Sequence, residues 1–423
     1  MSKNIQFIPL GCPKNDVDSE VIGNILYTCG YSIRAKSGKS SAIFINTCSF
    51  IEDAKKESIE HIEEAIAQKR AGAAASVYVA GCLVQRYREE LIHRFPEIDG
   101  LFGVCDFDTI KNHFGCTQHN NSYFFRYRLT PKHYAYLKIA EGCDYKCSFC
   151  AIPMIRGQQH SRTVKSLVEE AHYLVESGVK ELIIVAEDIT RYGSDLDNGD
   201  NLCKLLIELQ NVSGLQWIRL LYGYPGTVSD TLISIIADSD KICKYIDIPI
   251  QHISDPILRR MNRSYSRKTV EKLLSKLRKR IPDCIVRTSV IVGFPGETKE
   301  QFIELSDFLM DSSFDRLGVF MYSDEEGTPA ASFDGKINYE EMVERFEEIK
   351  MNQEMISERK NVSLLGKNIE VLIDLKDKNQ YIGRTYGDAP DIDQIVRVNR
   401  RVCVGAFTTI TVEKVTSTEL IGQ

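Results

Sequence analysis

The sequence has no long apolar run and no excess of positive charge, and each absence excludes a class of functions. No run reaches the roughly 20 apolar residues that a membrane-spanning helix requires, and residues 1–12 lack the apolar core and small-residue cleavage site of a signal peptide. Lys and Arg total 53 against 59 Asp and Glu, a formal net charge of -6, which gives no overall attraction to nucleic acid. A cytoplasmic protein without a membrane partner is therefore expected.

The sequence also lacks low-complexity tracts and internal repeats. Hydrophobic residues make up 43% of the chain and charged residues 26%, close to the averages of globular proteins, which disfavours a fibrous or disordered chain. At 423 residues the chain is too long for one ordinary hydrophobic core. It is therefore expected to form roughly two to four domains.

Thirteen cysteines are the one compositional anomaly. Because a reducing cytosol does not maintain disulfides, metal ligation or catalysis explains so many cysteines better. Seven of them lie in ordinary apolar or loop contexts and are interpreted as small buried hydrophobic residues: Cys29, Cys105, Cys116, Cys203, Cys243, Cys284 and Cys403. The other six form two groups of three.

The first group of cysteines follows three predicted strands in the N-terminal part of the chain. Cys12, Cys48 and Cys82 each end an apolar run that precedes a helical pattern. In an open parallel α/β sheet, the carboxyl ends of the strands converge on one edge, where ligands bind. The three thiols are therefore expected to meet in space, and the alternative is three unrelated buried thiols.

Strands and helices alternate in the middle of the chain, after a polar and aromatic linker predicted at residues 119–134. Six strands are predicted: Ala135–Ala140, Glu181–Ala186, Trp217–Tyr222, Tyr245–Ile250, Ile285–Val292 and Arg316–Tyr322. Such alternation requires parallel strands with right-handed crossovers. Six units favour a partial or closed (β/α)6 barrel resembling a TIM barrel, with its chemistry at the carboxyl ends of the strands.

The C-terminal part changes character after a charged amphipathic helix at residues 339–359. Short β-type runs at residues 369–373, 381–385, 394–398 and 407–415 are separated by Gly and Asp, which predicts a small all-β barrel. The predicted fold class is therefore multidomain α/β: an N-terminal open α/β sheet, a central partial barrel and a C-terminal β-barrel. Their predicted boundaries are residues 1–118, 132–355 and 358–423.

The second group of cysteines lies in one short loop after the first predicted barrel strand. Cys143, Cys147 and Cys150 are separated by three and then two residues. Thiolates are the natural ligands of iron-sulfur centres, and three of them leave one iron of a 4Fe-4S cluster open. A structural zinc site requires four closed ligands, and the nearest further candidate, His160, has a poor spacing.

The spacing and position of Cys143, Cys147 and Cys150 resemble those of the radical SAM superfamily. The resemblance implies that the open iron chelates S-adenosylmethionine (SAM). An electron from the cluster then cleaves SAM to methionine and a 5'-deoxyadenosyl radical that abstracts hydrogen.

Six further residues have the polar groups or the backbone freedom that SAM binding requires in this superfamily: Glu187, Asp188, Arg156, Arg162, Gly293 and Gly296. The two carboxylates end the second barrel strand and are acceptors for the amino group or ribose of SAM. Either arginine is a candidate cation for its carboxylate, and a solvated surface arginine is the alternative. The glycines follow the fifth strand and permit a close backbone approach, and a simple tight turn is the alternative.

Three N-terminal segments resemble those of the methylthiotransferases within this superfamily: Leu10–Glu20, Asn46–Cys48 and Gly81–Cys82. The resemblance implies a second 4Fe-4S cluster held by Cys12, Cys48 and Cys82, and a C-terminal TRAM domain over residues 361–423. It also implies two SAM molecules per product: one methylates sulfur on the N-terminal cluster, and the other generates the radical on the substrate.

Two subfamilies of methylthiotransferases compete: MiaB-type enzymes, which modify an adenosine of tRNA, and RimO-type enzymes, which modify an aspartate of ribosomal protein S-twelve. The segments Cys12–Asn15, Phe149–Pro153 and Gly383–Asp393 resemble the RimO type. Residues 361–423 carry eight cationic and eight anionic side chains, whereas RNA binding should require a basic surface. The acidic run at residues 388–393 suits a basic protein loop, and the alternative is a solvated turn.

The resemblance therefore implies a transferase that adds a methylthio group to the β-carbon of an aspartate, with two 4Fe-4S clusters and SAM as cofactors. Its expected partners are ribosomal protein S-twelve or the assembling small ribosomal subunit, and a reductant such as flavodoxin or ferredoxin. A direct tRNA substrate is not expected. The alternatives are a tRNA methylthiotransferase and a non-catalytic electron-transfer protein with two clusters.

Overall fold

The computed structural model describes residues 4–34, 40–116, 124–378 and 380–423. They form an N-terminal α/β unit, a central α/β half-barrel and a C-terminal β-barrel, which confirms the predicted fold class. The predicted linker at residues 119–134 begins outside the described residues. Within these ranges, no helix combines the length and the apolar character needed to cross a lipid bilayer.

The N-terminal unit has a five-stranded, wholly parallel sheet in the order β2-β1-β3-β4-β5. Its elements are β1 (Asn4–Pro9), α1 (Pro13–Thr28), β2 (Ser32–Arg34), β3 (Ser40–Thr47), α2 (Glu52–Arg70), β4 (Ala74–Gly81), α3 (Cys82–Arg94), β5 (Gly100–Phe102) and α4 (Phe107–Phe114). The neighbouring strands β1, β3 and β4 are in register through Ile8, Ile45 and Val79. Their carboxyl ends therefore lie side by side.

The central unit is an open six-stranded parallel sheet in the order β13-β12-β11-β10-β9-β6, so the barrel is partial. The strands of this sheet are β6 (Tyr134–Lys138), β9 (Glu181–Val185), β10 (Trp217–Leu220), β11 (Ile242–Asp247), β12 (Ile285–Val292) and β13 (Arg316–Met321). Two short strands, β7 (Ala140–Glu141) and β8 (His160–Ser161), form a separate antiparallel pair. The helices of the central unit are α5 (Ile152–Arg156), α6 (Val164–Glu176), α7 (Leu202–Gln210), α8 (Asp230–Asp238), α9 (Asp255–Arg260), α10 (Arg267–Arg280), α11 (Lys299–Ser312) and α12 (Tyr339–Val362). Helix α12 continues through the predicted boundary between residues 355 and 358.

The C-terminal unit is a closed barrel in the order β14-β15-β16-β18-β17. Its strands are β14 (Asn368–Asp377), β15 (Gln380–Arg384), β16 (Ile395–Val398), β17 (Phe407–Val415) and β18 (Glu419–Gly422). Closure pairs both edges of the sheet, so no strand of this barrel is left as an open edge.

The C-terminal barrel packs against the inner face of the half-barrel. Alternate residues of a strand face opposite sides of a sheet, and along β9 Leu182 and Ile184 belong to the core beneath the helices, whereas Ile183 belongs to the inner core. Leu372 of β14 and Val17 of α1 belong to the same inner core. The C-terminal barrel and helix α1 therefore cover the open side of the half-barrel.

A buried charge network reinforces this contact. Arg384 of β15 donates to Glu181 of β9 at 2.8 Å and to Asp374 at 2.7 Å, and Arg219 donates to Glu181 at 2.7 Å. Burial alone would raise the pKa of Glu181, but the charges of Arg384 and Arg219 hold it below its usual range. The charged form of Glu181 therefore depends on both arginines.

Replacing Arg384 with methionine is expected to lower the free energy of unfolding by about 3 kcal/mol, because the substitution leaves buried carboxylates short of a partner. Urea denaturation measures this loss. The matched control is Arg400→Met, since Arg400 is an exposed residue of the same barrel that donates to Thr409, and its expected effect is within about 0.5 kcal/mol. Equal losses in the two variants would contradict the role of the network.

The acidic run at residues 388–393 is largely internal, so its interpretation as a surface for a basic loop is wrong for two of its three carboxylates. Asp388 accepts a hydrogen bond from Arg316 at 2.9 Å. Asp393 accepts one from Tyr245 at 2.8 Å and lies 3.3 Å from the Nε of Arg287. These groups anchor the C-terminal barrel to the half-barrel.

Candidate metal centres

Cys12, Cys48 and Cys82, called the N-terminal trio below, lie at the carboxyl edge of the parallel sheet. Cys12 follows β1 and precedes α1, Cys48 follows β3, and Cys82 begins α3 directly after β4. Gly11 has a φ of +99°, and a Cβ there would lie 2.8 Å from the Cβ of Cys48. The backbone before Cys12 therefore approaches Cys48 as closely as only glycine permits.

The N-terminal trio is held in a hydrogen-bonded frame. The side chain of Asn46 donates to the carbonyl of Asn15 at 3.1 Å, and the Ser58 hydroxyl accepts from the Cys48 amide at 3.0 Å. Burial raises the pKa of Cys82 to about 12, and the nearby Cys48 and Cys12 raise it further whereas Arg156 lowers it. The buried thiol of Cys82 therefore requires a compensating cation to become a thiolate.

Cys143, Cys147 and Cys150, called the barrel trio below, lie in the loop between β7 and α5. The Cys143 amide donates to the carbonyl of Gly157 at 3.0 Å, and the Cys150 amide donates to the carbonyl of Cys147 at 3.1 Å. Burial raises the pKa of Cys143 to about 11 and that of Cys150 to about 12, and the trio's other thiols add to both increases. The loop therefore gathers three thiols at the carboxyl end of the half-barrel.

The spacing of the sulfurs disfavours a single metal ion in either trio. Tetrahedral zinc with sulfur at about 2.3 Å brings its ligand atoms within about 4 Å of each other. In the described residues, the one group of three potential ligand atoms within 4.8 Å of one another is Asp18, Cys105 and Glu141. Lys138 donates to Glu141 at 2.5 Å and contacts Asp18, and Arg156 pairs with both carboxylates, so these two cations neutralise the group.

The two trios lie close together, because Cys82 belongs to one buried cluster with Ala151, which directly follows Cys150. Arg156 donates to the sulfur of Cys82 with a separation of 3.7 Å, and its Nε lies 3.7 Å from Glu187. Glu187 in turn raises the pKa of Cys143 and Cys150. The two trios therefore face one region at the junction of the N-terminal unit and the half-barrel.

Two of the residues expected to bind SAM have buried carboxylate oxygens that accept no hydrogen bond from the described residues. These oxygens are the Oε1 of Glu187 and the Oδ2 of Asp188. Asp188 raises the pKa of Cys143 together with Glu187, which places both carboxylates beside the barrel trio. Buried acceptors of this kind fit a ligand with amino and hydroxyl groups such as SAM.

Arg156 and Arg162 occupy different surroundings, and neither is a solvated surface arginine. Arg156 donates to Glu141 at 2.6 Å and lies between the two trios. Arg162 instead pairs with Glu170 of α6 at 2.5 Å. The structure therefore brings Arg156 to the site and directs Arg162 to the packing of α6.

Gly293 and Gly296 form a turn that is filled by protein groups. A Cβ on Gly293 would lie 2.2 Å from Met342 of α12, and a Cβ on Gly296 would lie 3.2 Å from Arg260. The carboxylate of Glu297 accepts from the amide of Phe294 at 3.1 Å. The turn contacts the loop of the barrel trio through Phe294, whose ring meets that of Phe149 edge-on.

Two cations beside the trios were not identified by sequence reasoning. Lys14 pairs with Glu187 at 3.0 Å, and Arg263 donates to the sulfur of Cys147 with a separation of 3.5 Å. Lys14 lies within a segment that resembles the methylthiotransferases, which is a usable signal. Arg263 lies 113 residues after Cys150 in an ordinary run of basic residues, so nothing local marks it.

Of the seven remaining cysteines, Cys243 is buried as expected, whereas Cys203 and Cys284 are only partly buried. Cys105 is also partly buried and lies against the carboxylates of Asp18 and Glu141 rather than in a purely apolar context. Cys403 is exposed. Cys29 and Cys116 lie side by side, with Cα atoms 5.2 Å apart, rather than as two separate thiols.

Each of the three parts of the chain matches the model of a known family. Residues 137–309 match the radical SAM superfamily, residues 4–103 match "Uncharacterized protein family UPF0004", and residues 365–423 match the TRAM domain. The superfamily carries a 4Fe-4S cluster and SAM. The fold and the site thus define a radical SAM transferase with a C-terminal TRAM domain.

Curated relatives extend over the whole chain. "Ribosomal protein uS12 methylthiotransferase RimO" of Pelotomaculum thermopropionicum is 44% identical, with 100% of this chain and 99% of the relative covered. The proteins of the same name from Caldanaerobacter subterraneus subsp. tengcongensis and Clostridioides difficile are 44% and 41% identical, covering 100% and 98% of this chain and 100% and 97% of the relatives. The chain belongs to the RimO methylthiotransferase family.

Solved structures share the fold at low sequence identity. The radical SAM methyltransferase TsrM of Kitasatospora setae has a TM-score of 0.55 at 14% identity, covering 78% of this chain and 75% of that one. The cobalamin-dependent SAM radical enzyme OxsB has a TM-score of 0.53 at 12% identity, covering 83% and 56%. These similarities bear on the fold alone.

Proposed function

We propose that this chain attaches a methylthio group to the β-carbon of an aspartate in ribosomal protein uS12, the protein called S-twelve above. The observation that carries the proposal is the closeness of the two cysteine trios, shown by the buried cluster that Cys82 forms with Ala151 next to Cys150, in a chain whose full-length relatives are named for this activity. Two centres that act on one substrate atom must lie close together, because positioning supplies much of the catalysis.

The barrel trio is proposed to hold the 4Fe-4S cluster, with one iron open to SAM. When bound, this cluster supplies the electron that cleaves SAM and yields the hydrogen-abstracting radical. Cys143, Cys147 and Cys150 would ligate it, and the buried carboxylates of Glu187 and Asp188 would accept hydrogen bonds from SAM. Their burial excludes water from the bound cofactor.

The N-terminal trio is proposed to hold a second 4Fe-4S cluster that carries the sulfur to be transferred. The spacing of its sulfurs disfavours a single ion, and burial raises the pKa of Cys48 and Cys82, so these two thiols need a cationic group to become thiolates. Arg156 is proposed to stabilise this centre rather than the carboxylate of SAM, because its Nη2 is directed at Cys82.

The remaining expectations extend this proposal. A flavodoxin or ferredoxin is proposed as the reductant, and the cytoplasm as the location. Domain boundaries at residues 1–118, 132–355 and 358–423 also remain proposals, as does the role of Arg162, Gly293 and Gly296 in SAM binding.

The substrate is tested by mass spectrometry of ribosomal protein uS12 and of tRNA from cells with and without the gene. The expected result is loss of the methylthio group from uS12 and no change in tRNA, since the C-terminal barrel has no net positive charge with which to bind phosphate. Loss of the methylthio group from a tRNA adenosine instead would show that the substrate is that of a MiaB-type enzyme. Loss from neither would refute both assignments.

Replacing Asp188 with asparagine is expected to weaken SAM binding roughly tenfold, the effect of one hydrogen bond to a charged group. Equilibrium dialysis of the reconstituted variant measures the dissociation constant. The iron content should stay unchanged, because Asp188 is not a proposed ligand of the cluster. Asp197→Asn, at an exposed position nearby, is the control, and equal affinity in both variants would contradict the role of Asp188.

A further inference from the structure

Arg263 is placed where a cation contacts one sulfur of the barrel trio. It follows helix α9, and its Nη1 donates to the Sγ of Cys147 with a separation of 3.5 Å. Neither the resemblance of the chain to the methylthiotransferases nor the neighbouring residues in the sequence assign a role to Arg263. Cys147 is buried, so this hydrogen bond is shielded from water and is stronger than it would be at the surface.

The guanidinium of Arg263 is held by two further hydrogen bonds and an aromatic ring. Its Nε donates to the hydroxyl of Tyr265 at 2.9 Å, and its Nη2 donates to the carbonyl of Pro249 at 3.1 Å. Its planar group lies 4.3 Å from the ring centroid of Tyr224. With Nε and Nη2 committed to protein oxygens, Nη1 is held toward the sulfur.

The stack continues into the loop that carries the barrel trio. The ring of Tyr224 stacks on that of Tyr145 with centroids 4.2 Å apart and planes 10° apart, and Tyr145 lies between Cys143 and Cys147. Arg263 therefore contacts the loop both directly and through two aromatic rings. This arrangement fixes the position of Cys147 as well as the charge beside it.

We propose that Arg263 is a positioning residue that raises the reduction potential of the barrel cluster through its hydrogen bond to Cys147. Hydrogen bonds to ligand sulfurs and nearby charge are among the features that set cluster potentials. Reduction adds one negative charge to the cluster and its thiolates, and a cationic donor stabilises that charge more than it stabilises the oxidised form. This inference rests on the proposed ligation by Cys143, Cys147 and Cys150.

The test is a redox titration of the full-length, reconstituted protein with dithionite, followed by electron paramagnetic resonance (EPR). The signal that changes when SAM is added identifies the barrel cluster. In Arg263→Met, the ratio of reduced to oxidised barrel cluster at a fixed potential is expected to fall about tenfold, a shift of about 59 mV for a one-electron couple. Arg263→Lys, which keeps the charge, should recover part of the shift.

Arg260→Met is the matched control. Arg260 lies three residues earlier, and its guanidinium donates to the carbonyl of Pro295 and to Asp334 rather than to a sulfur. Its potential should equal that of the unaltered protein. An unchanged potential in Arg263→Met overturns the proposal, and so does weaker SAM binding without a change in potential. Absence of any SAM-responsive signal in the unaltered protein would instead refute the proposed cluster.

A second measurement does not depend on Arg263→Met, and it therefore tests the proposal even if that variant does not fold. Protein labelled with ¹⁵N-arginine is reduced and studied by pulsed EPR. A ¹⁵N coupling on the SAM-responsive signal is expected from Nη1 of Arg263 and should disappear in Arg263→Lys. If the unaltered protein lacks this coupling, the guanidinium does not bond to the cluster ligand, and the proposal fails.

Discussion

Replacing Cys147 with alanine is expected to abolish the formation of 5'-deoxyadenosine from SAM. The barrel trio offers three thiols, so loss of one leaves too few ligands for a cluster with a single open iron. Cys147 also accepts the hydrogen bond from Arg263, and its removal leaves that cation without its acceptor. The measurement is chromatographic analysis of products after incubation with dithionite and SAM.

The control for this experiment is Cys403→Ala. Cys403 is an exposed cysteine of the C-terminal barrel, and its removal should leave SAM cleavage unchanged. Substantial 5'-deoxyadenosine formation by Cys147→Ala would refute the assignment of the barrel trio. Absence of 5'-deoxyadenosine from the unaltered protein would instead favour the non-catalytic electron-transfer protein.

Replacing Cys48 with alanine is expected to separate the two halves of the reaction. The N-terminal trio should lose its cluster, so the iron content should fall by about half, whereas the barrel trio and SAM cleavage should remain. The methylthio product on uS12 should be absent, because the proposed carrier of sulfur is missing. Iron analysis, assay of 5'-deoxyadenosine and mass spectrometry of uS12 measure the three quantities on one sample.

The Cys403→Ala protein again serves as the reference for iron and for product. A Cys48→Ala protein that still forms the methylthio product would contradict the role of the N-terminal trio. A variant that loses SAM cleavage as well would mean that the two sites are not separable. The hydrogen bonds between Cys48 and Ser58 involve backbone groups of Cys48, so the substitution removes the thiol without removing these bonds.

The periodicity of the sequence predicted the alternation of strands and helices along the chain and placed the six cysteines at strand ends, but it missed the short strands β2, β5 and β18. Each apolar run ends where a parallel strand ends, and parallel strands share a carboxyl edge. This is why Cys12, Cys48 and Cys82 were expected to converge. The same logic placed Glu187 and Asp188, which directly follow β9, beside the barrel trio.

The contacts between domains were not predictable in this way. The pairing of Arg384 with Glu181 joins residues 203 positions apart, and neither residue has a local pattern that signals a partner. The acidic run at residues 388–393 shows the error that results: its charges suggest a docking surface, but Arg316 and Arg287 neutralise two of them internally. Charge in a sequence does not reveal whether it is exposed.

The same limit applies within the candidate site. Arg156 and Arg162 lie six residues apart and have the same chemistry, yet only Arg156 contacts a sulfur because α5 directs it toward the N-terminal unit. Arg263 comes from a distant loop, and its hydrogen bond to Cys147 depends on tertiary packing alone. Spacing identifies ligands that share a loop, whereas residues that act from other segments require the structure.

The most direct test of the account is combined metal analysis and Mössbauer spectroscopy of the full-length protein prepared without oxygen. If both trios hold clusters, the protein contains enough iron and sulfide for two four-iron clusters. The Mössbauer signal of one iron of the barrel cluster then changes on addition of SAM. Colourless protein that contains zinc and no iron would contradict the account.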